Sequence, residues 1–285
     1  MPVARHRYTV LDVFTDRPLE GNALAVVHDA DEVDDATMLR VARETRLSET
    51  SFVQTSHEAA DYRNRIWTVA GELAFAGHPS LGAAVAVARA RGEGEVRYVQ
   101  ETGAGLQPVD VRVEGGVGRA SMLQEPARFG PELARAEVSS AAGLAPGDLH
   151  PGLPPQVVST GVPQVLAPVR DAGVLGRIAS DPTELAALLG AHGAVTLYLF
   201  VADVESGAAH ARSLTPAVEG GEDPATGSAA GPLMAYLAER SGAARLVIAQ
   251  GAEMGRPSRL DAEMEGDHVR VGGGVVAVVD GTLTL

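Results

Sequence analysis

The sequence predicts an α+β fold of two pseudo-symmetric domains facing one another across a cleft, and three observations carry that prediction. Apolar, β-branched runs of strand length alternate with a few helical stretches over the 285 residues. Two of those helices are nearly apolar and opened by glycine, and they recur at matching places, one after AGHPSLG and the other after TGSAAG. Between them the pattern weakens over residues 123–155, where Pro, Gly and Ala accumulate as at a domain junction. Domains are therefore expected at 1–124 and 125–285, with the final strand able to return to the first.

Residues 8–14 and 23–27 read as strands joined by TDRPLEGN, in which Pro18, Gly21 and Asn22 supply the turn chemistry. Asp35 is placed to cap a helix over 36–46. LSETSFVQT then enters a β-branched strand, and a further strand covers 62–69. Residues 79–91 have the composition of a buried helix that starts just after Gly77 and His78. Strands follow at 96–100 and 109–113, and a short helix is expected at 138–145. The second half restarts with VVSTGVPQVLAPV, a strand–turn–strand unit, and Asp181 with Pro182 opens a helix over 183–190. Strands at 195–201 and 209–214 lead into EDPATGSAAGPLMAYLAE, and the tail divides at glycine turns into three strand-like segments. Aligning Gly77 with Gly227 sets His78 beside Ser228 and brings Gly82 within one residue of Gly231, as in a duplicated unit.

Composition narrows the chemistry. The net charge of −14 comes without a basic cluster, so nucleic acid is not an expected partner and the acidity reads as solubility. No apolar run reaches the roughly 18 residues of a membrane span, so no membrane partner is expected either. The opening MPVARHRYTVLDVF reads as a first strand rather than a signal peptide, which makes a cytoplasmic location the expectation. There is no cysteine, which removes disulfides, thiolate metal sites and cysteine acid/base pairs. All 23 basic residues are arginine, and without lysine neither an internal Schiff base nor a lysine base is available. No H-E-x-x-H occurs and the eight histidines show no ligand spacing, so a metal is not expected. Acid/base chemistry is left to Asp, Glu, His and Tyr.

The two glycine-marked helix starts are the first candidates for a site. A helix N-terminus offers unpaired N–H groups and the positive end of the dipole, so it attracts carboxylates without a basic side chain. Gly77 and Gly227 let a ligand approach the backbone. The plainer alternative is a pair of ordinary capped helices with Ser228 as N-cap. Pro224 biases Asp223 toward an extended conformation, which frees its carboxylate to project, whereas Glu222 reads as an exposed acid at a helix end. His78, beside Pro79, is a plausible proton donor or simply a satisfied turn residue. Glu49, in SETSFV, is either solvated or, if buried in a cleft, raised in pKa and able to take and return a proton.

The segments SETSFV, FAGHPSLGAA, STGVPQV, the Arg212 to Pro216 element before EDPATGSAAG, and QGAEMGRPSRL occur in this order. Together they resemble the phenazine biosynthesis PhzF-like family of the diaminopimelate epimerase-like superfamily, over essentially the whole chain. The resemblance implies two related α+β domains, each a mixed β-sheet curled around a central α-helix, with the active site in the interdomain cleft. It further implies a cofactor-free isomerase acting on a small carboxylate substrate, commonly as a homodimer. Glu49 takes the place of the general acid/base. The resemblance implies that His78, Asp223 and Ser228 line the site, orient the substrate and assist proton movement, that the amides around Gly77, Gly227 and Ser228 hold the substrate carboxylate, and that Ser80 is a further substrate-binding residue. Related epimerases and proline racemases use a cysteine pair, which this chain lacks. A single carboxylate returns its proton on one face, as in an allylic or 1,5-type shift.

The chain departs from the family pattern at GNA, where GNP is common, at Ala70, where proline is frequent, and at Leu214, where phenylalanine is frequent. Leu214 bears on which substrate fits rather than on the class of reaction. Two rival readings stand beside the isomerase: a serine hydrolase built from Ser228, His78 and Asp223, and a non-catalytic small-molecule binder on the same scaffold. The hydrolase lacks G-x-S-x-G and places its serine at a helix start.

Overall fold

The computed structural model describes residues 4–218 and 220–285. The chain divides into two compact units, Met1–Met122 with Gly272–Leu285, and Leu123–Val271. The first unit holds β1 (Arg5–Val13), β2 (Asn22–Val27), α1 (Asp35–Thr45), β3 (Glu49–Gln54), β4 (Tyr62–Trp67) and β5 (Glu72–Leu73). It continues with α2 (Gly77–Arg91), β6 (Glu95–Thr102), β7 (Gly105–Glu114) and most of β8 (Val117–Gln124). Pairing runs antiparallel from β1 to β2, parallel to β3, antiparallel to β4, parallel to β6, then antiparallel to β7 and β8. The C-terminal strand, His268–Thr284, pairs with both β8 and β1 and so closes the ring.

Helix α2 touches β1, β2, β3, β4, β6 and β7, which places it inside that ring. A helix apolar on all sides is stable only when surrounded, and every α2 residue from His78 to Ala88 is buried. Helix α1 covers the outside, packing Met38, Val41 and Ala42 against Val27, Phe52 and Trp67. Strand β2 therefore lies between two helices. Leu24 faces α2 at Gly82 and Val27 faces α1, because residues an odd number apart point to opposite faces. That is why the run ALAVV is apolar without alternation.

The second unit holds β9 (Arg128–Glu132), α3 (Arg135–Ala141), β10 (Gln156–Ser159), β11 (Pro163–Pro168), α4 (Ala172–Leu175) and α5 (Pro182–His192). These are followed by β12 (Thr196–Asp203), β13 (Ala208–Leu214), β14 (Glu222–Asp223), α6 (Gly227–Ser241), β15 (Arg245–Gln250), β16 (Ser258–Glu265) and the start of β17, the C-terminal strand. Pairing is antiparallel for β9–β10 and β10–β11, parallel for β11–β12, antiparallel for β12–β13, parallel for β13–β15 and antiparallel for β15–β16. Helix α6 contacts β10, β11, β15 and β16, with Tyr236 edge-on to Phe200 at 5.8 Å. Helices α3 to α5 cover the other face, setting Val138, Leu175 and Leu188 into a core with Val165, Leu197 and Leu199.

The order of pairings from β1 to β7 recurs from β10 to β16, each with a two-residue strand just before its 15-residue helix. Helices α2 and α6 start at Gly77 and Gly227 and are followed by Gly92 and Gly242, a constant offset of 150. The repeat extends to side chains. Arg65 forks onto Glu72 at 2.7 and 2.6 Å, and Arg212 forks onto Glu222 at 2.8 and 2.6 Å. Each fork ties a two-residue strand to its neighbour, β5 to β4 and β14 to β13.

Several local expectations need correction. The N-cap of α1 is Asp34, whose carboxylate accepts from the Thr37 amide at 2.7 Å, while Asp35 pairs with Arg65 at 2.8 Å. Helix α2 begins at Gly77 rather than after His78; Pro79 fits its first turn, where an N–H has no intrahelical acceptor. Helix α3 starts three residues and ends four residues earlier than expected, because Gly143 adopts φ +67° and Pro146 follows. Glu222 is half-buried in its arginine fork rather than an exposed helix-end acid. The N-cap of α6 is Thr226, and Ser228 is the second helical residue. Four strands had no counterpart in the sequence reading, the two-residue β5 and β14 and the longer β8 and β9. The inward residues of β8 are Gly118, Ala120, Met122 and Gln124, too small or polar to show alternation, and β9 is exposed along its length.

Candidate active site

In the first unit, the edge between β2 and β3 meets the start of α2. Glu49 opens β3, paired with Leu24 in the first step of the parallel ladder, and His78 is the second residue of α2. Glu49 Oε2 lies 3.3 Å from His78 Nε2, close enough to share a proton without the alignment of a formed hydrogen bond. The Glu49 side chain is only 15% exposed, and burial raises its carboxyl from 4.5 to about 6, against the Ser48 hydroxyl, which favours the charged form. Behind the imidazole, Asn22 Nδ2 stands 3.4 Å from His78 Nδ1, and the Ser48 hydroxyl donates to Asn22 Oδ1 at 3.3 Å. Gly77 is the first residue of the helix and supplies an N-terminal amide. Ser80 turns inward: its hydroxyl donates to the Ala76 carbonyl at 2.8 Å, the same carbonyl that receives its amide at 3.2 Å.

In the second unit, Asp223 and the start of α6 are held by a web of uncharged polar groups. Asp223 Oδ2 accepts from the Thr226 hydroxyl at 2.6 Å. Gln250, at the end of β15, donates to the Asp223 carbonyl at 2.7 Å and accepts from the Thr226 amide at 3.2 Å and the Tyr198 hydroxyl at 2.8 Å. Ser258 closes the loop by donating to the Pro224 carbonyl at 3.0 Å. Burial, and then the nearby Asp223 charge, push the Tyr198 phenol well above its ordinary range, so it serves as a neutral donor. Ser228 Oγ accepts from Gln164 Nε2 at 3.4 Å, and Gln164 Oε1 accepts from Thr196 at 2.5 Å. With an oxygen lone pair so engaged, the Ser228 hydroxyl proton is available to a ligand. A nucleophilic serine needs an acceptor for that proton, and the Gln164 amide nitrogen is a donor.

Gln124 donates to the Gly227 carbonyl at 2.8 Å and accepts from Thr160 at 2.5 Å. A β-carbon at Gly231 would collide with the Gln124 carbonyl oxygen, so the glycine exists to admit this amide. Asn22, read in the sequence only as a turn residue, and Ser48, Gln124, Gln164 and Gln250 were not singled out for a site. For the four amides the signal was an uncharged polar residue at a buried strand position, as in VPQVLAPV and LVIAQ, whereas Ser48 lies in a half-buried bend. Among the described residues, no group of three or more His, Asp or Glu side chains gathers as a metal site, and no helix is long and apolar enough to cross a membrane.

The register of the repeat separates the units chemically. Leu24 faces Glu49 where the β2–β3 ladder opens, and Gln164 faces Thr196 where the β11–β12 ladder opens. The second residue of the central helix is His78 in one unit and Ser228 in the other. An ionisable pair in the first unit thus corresponds to two hydroxyls in the second.

Comparison with known proteins agrees over the full length. The profile of the family described as phenazine biosynthesis-like protein matches residues 11–281. An uncharacterized isomerase of Mesorhizobium japonicum is 38% identical, over 97% of this chain and 98% of its own. The trans-2,3-dihydro-3-hydroxyanthranilate isomerase of Pseudomonas aeruginosa is 35% identical, over 93% of each chain. Among solved structures, a PhzF-family phenazine biosynthesis protein of Bacillus anthracis superposes with TM-score 0.87 at 28% identity, covering 99% of this chain and 100% of that one. A hydroxyproline epimerase of Agrobacterium vitis, at 14% identity and TM-score 0.65 over 100% of this chain and 93% of that one, shares the fold.

Proposed function

The chain belongs to the phenazine biosynthesis-like protein family and is an isomerase; on that premise we propose that it moves a proton within a small carboxylate-bearing substrate, Glu49 both taking the proton and giving it back. The observation that carries the reading is the Glu49–His78 pair, 3.3 Å apart, with the carboxyl raised to about 6. An ordinary glutamate holds a proton too weakly to return it near neutral pH, whereas a carboxyl near 6 exchanges readily between both forms. In the proposed step, the Glu49 carboxylate removes a proton from a saturated carbon. The C–H electron pair enters the adjoining double bonds, these shift along the substrate, and the same carboxyl delivers the proton to the far carbon. Substrate and product are isomers, and no oxidant or cofactor is consumed. The presence of hydroxyls in the second unit at the places of Glu49 and His78 supports a single shuttling base.

Asp223 and Ser228 are proposed to serve the same substrate molecule, with the amides of Gly77 and Gly227 holding its carboxylate. The anthranilate-type substrate named for the Pseudomonas aeruginosa relative is an amino carboxylate and is the first probe to try. The reading also carries a cytoplasmic homodimer without metal or organic cofactor, checked by sedimentation and by metal analysis of the active protein.

The test is incubation in deuterium oxide with a panel of small cyclic amino and hydroxy carboxylates, followed by NMR. The expected result is deuterium at one carbon together with the isomer, falling about 100-fold or more in folded Glu49→Gln. Full activity in that variant removes Glu49 from the mechanism. Binding without exchange across the panel would favour a non-catalytic binder, and a covalent adduct at Ser228 with a serine-directed reagent would revive the hydrolase.

A further inference from the structure

Resting on the reading above, the geometry of the first unit gives Asn22 a role: we propose that its side-chain amide is a positioning group that fixes the neutral His78 ring as the Nε2–H tautomer, with that N–H aimed at Glu49. Three contacts in series define the arrangement. Ser48 Oγ reaches Asn22 Oδ1 at 3.3 Å, Asn22 Nδ2 reaches His78 Nδ1 at 3.4 Å, and His78 Nε2 reaches Glu49 Oε2 at 3.3 Å. Asn22 is 1% exposed, and its backbone is fixed opposite Val13 at the start of β2, so the amide cannot swing away.

An amide and an imidazole can each be placed in two ways, and the chemistry at the two ends selects one. Reversing the amide would make His78 Nδ1–H donate to Asn22 Oδ1. The Nε2 lone pair would then face the Glu49 carboxylate, two acceptors at 3.3 Å and shielded from water. With Nε2 protonated, the same contact becomes attractive. Nδ1 then needs a donor, which Asn22 Nδ2 supplies, and Asn22 Oδ1 needs one too, which Ser48 supplies.

The arrangement distinguishes the two carboxylate oxygens. Oε2 is sealed against His78, which leaves Oε1 as the oxygen that meets the substrate proton. Asn22 touches neither substrate nor carboxylate in this scheme; it acts through the ring.

The measurement is long-range proton–nitrogen correlation NMR on nitrogen-15-labelled full-length protein without substrate, with His78 assigned by loss of its signals in His78→Gln. At a pH where the shifts no longer change, His78 Nε2 is expected to show the shift of a protonated nitrogen and Nδ1 that of an unprotonated one. Asn22→Asp keeps the shape but replaces the donor with an acceptor. It is expected to bring a proton onto Nδ1 and to slow solvent exchange into substrate by about 100-fold. A wild-type ring protonated on Nδ1 overturns the proposal, and so does an Asn22→Asp ring whose nitrogen pattern matches wild type. Should Asn22→Asp fail to fold, the wild-type spectrum decides alone. An active Glu49→Gln protein would overturn the proton shuttle and leave the tautomer result standing. A reversed tautomer with inactive Glu49→Gln would overturn only the role of Asn22.

Discussion

Glu49 is held in a setting that the unfolded chain does not offer, and its energetics follow from that difference. Its carboxyl rises from 4.5 to about 6 on folding, so the native protein binds this proton more tightly than the unfolded chain. The favourable contribution is fully present below pH 4.5 and is lost as pH rises through about 6. By linkage it amounts to roughly 2 kcal/mol. Glu49→Gln, which cannot ionise, is therefore expected to be more stable than wild type by about 2 kcal/mol at pH 8 and equal to it near pH 4.5, read from denaturant midpoints at both values. Equal stability at pH 8 would contradict the burial of the charge. Substrate turnover that needs the ionised carboxylate should fall as pH drops through about 6. In the sequence His78 and Ser228 stood out beside the glycines that mark the two helix starts, Asp223 stood out before a proline, and Glu49 stood out between hydroxyl residues ahead of an apolar strand. Asn22, Ser48 and Gln250 did not, because an amide takes its meaning from which atoms face which neighbours, and that is set only by the fold.

The central helices and the loops that feed them show why some elements were readable and others were not. Helices α2 and α6 were anticipated from glycine followed by an apolar run, and both start at the glycine. The turn before α6 is shaped by Gln250 and Ser258, distant residues that accept or donate at Asp223, Pro224 and Thr226. Gln250→Ala would strand the Thr226 amide, the Asp223 carbonyl and the Tyr198 hydroxyl. The expected loss is about 3 kcal/mol in denaturant unfolding, with weaker substrate binding. Gly231→Ala forces its β-carbon onto the Gln124 amide and should cost about 1–3 kcal/mol despite alanine's better helix propensity, measured by the same unfolding. A stabilised Gly231→Ala protein would show that Gln124 can retreat. Strand β9 illustrates the opposite limit: with every side chain exposed, it is held through backbone pairing to β10, and no periodicity announces it.

Across the whole chain, one topology is used twice with different chemistry in each copy. The recurring order of strands, the offset of 150 between the central helices and the two arginine–glutamate forks carry the repeat from backbone to side chain. At the places where the first unit sets Glu49 and His78, the second sets Thr196 and Ser228. A duplicated scaffold with an ionisable pair in one copy fits a proton that leaves and returns through one group. It does not fit a relay between matched bases. The weak helix-mouth likeness in sequence hinted at the duplication, but the forks and ladder registers that establish it join residues far apart in the chain. The most direct test of the single-carboxylate account is to follow the proton itself. A substrate deuterated at the carbon that loses the proton, beginning with the anthranilate-type probe, is converted in ordinary water under single-turnover conditions. A carboxyl that takes and returns a proton in competition with solvent exchange predicts that part of the deuterium is carried over to the far carbon of the product, on the same face, with solvent hydrogen making up the rest as in the deuterium oxide experiment. Complete washout with delivery to the opposite face would contradict it.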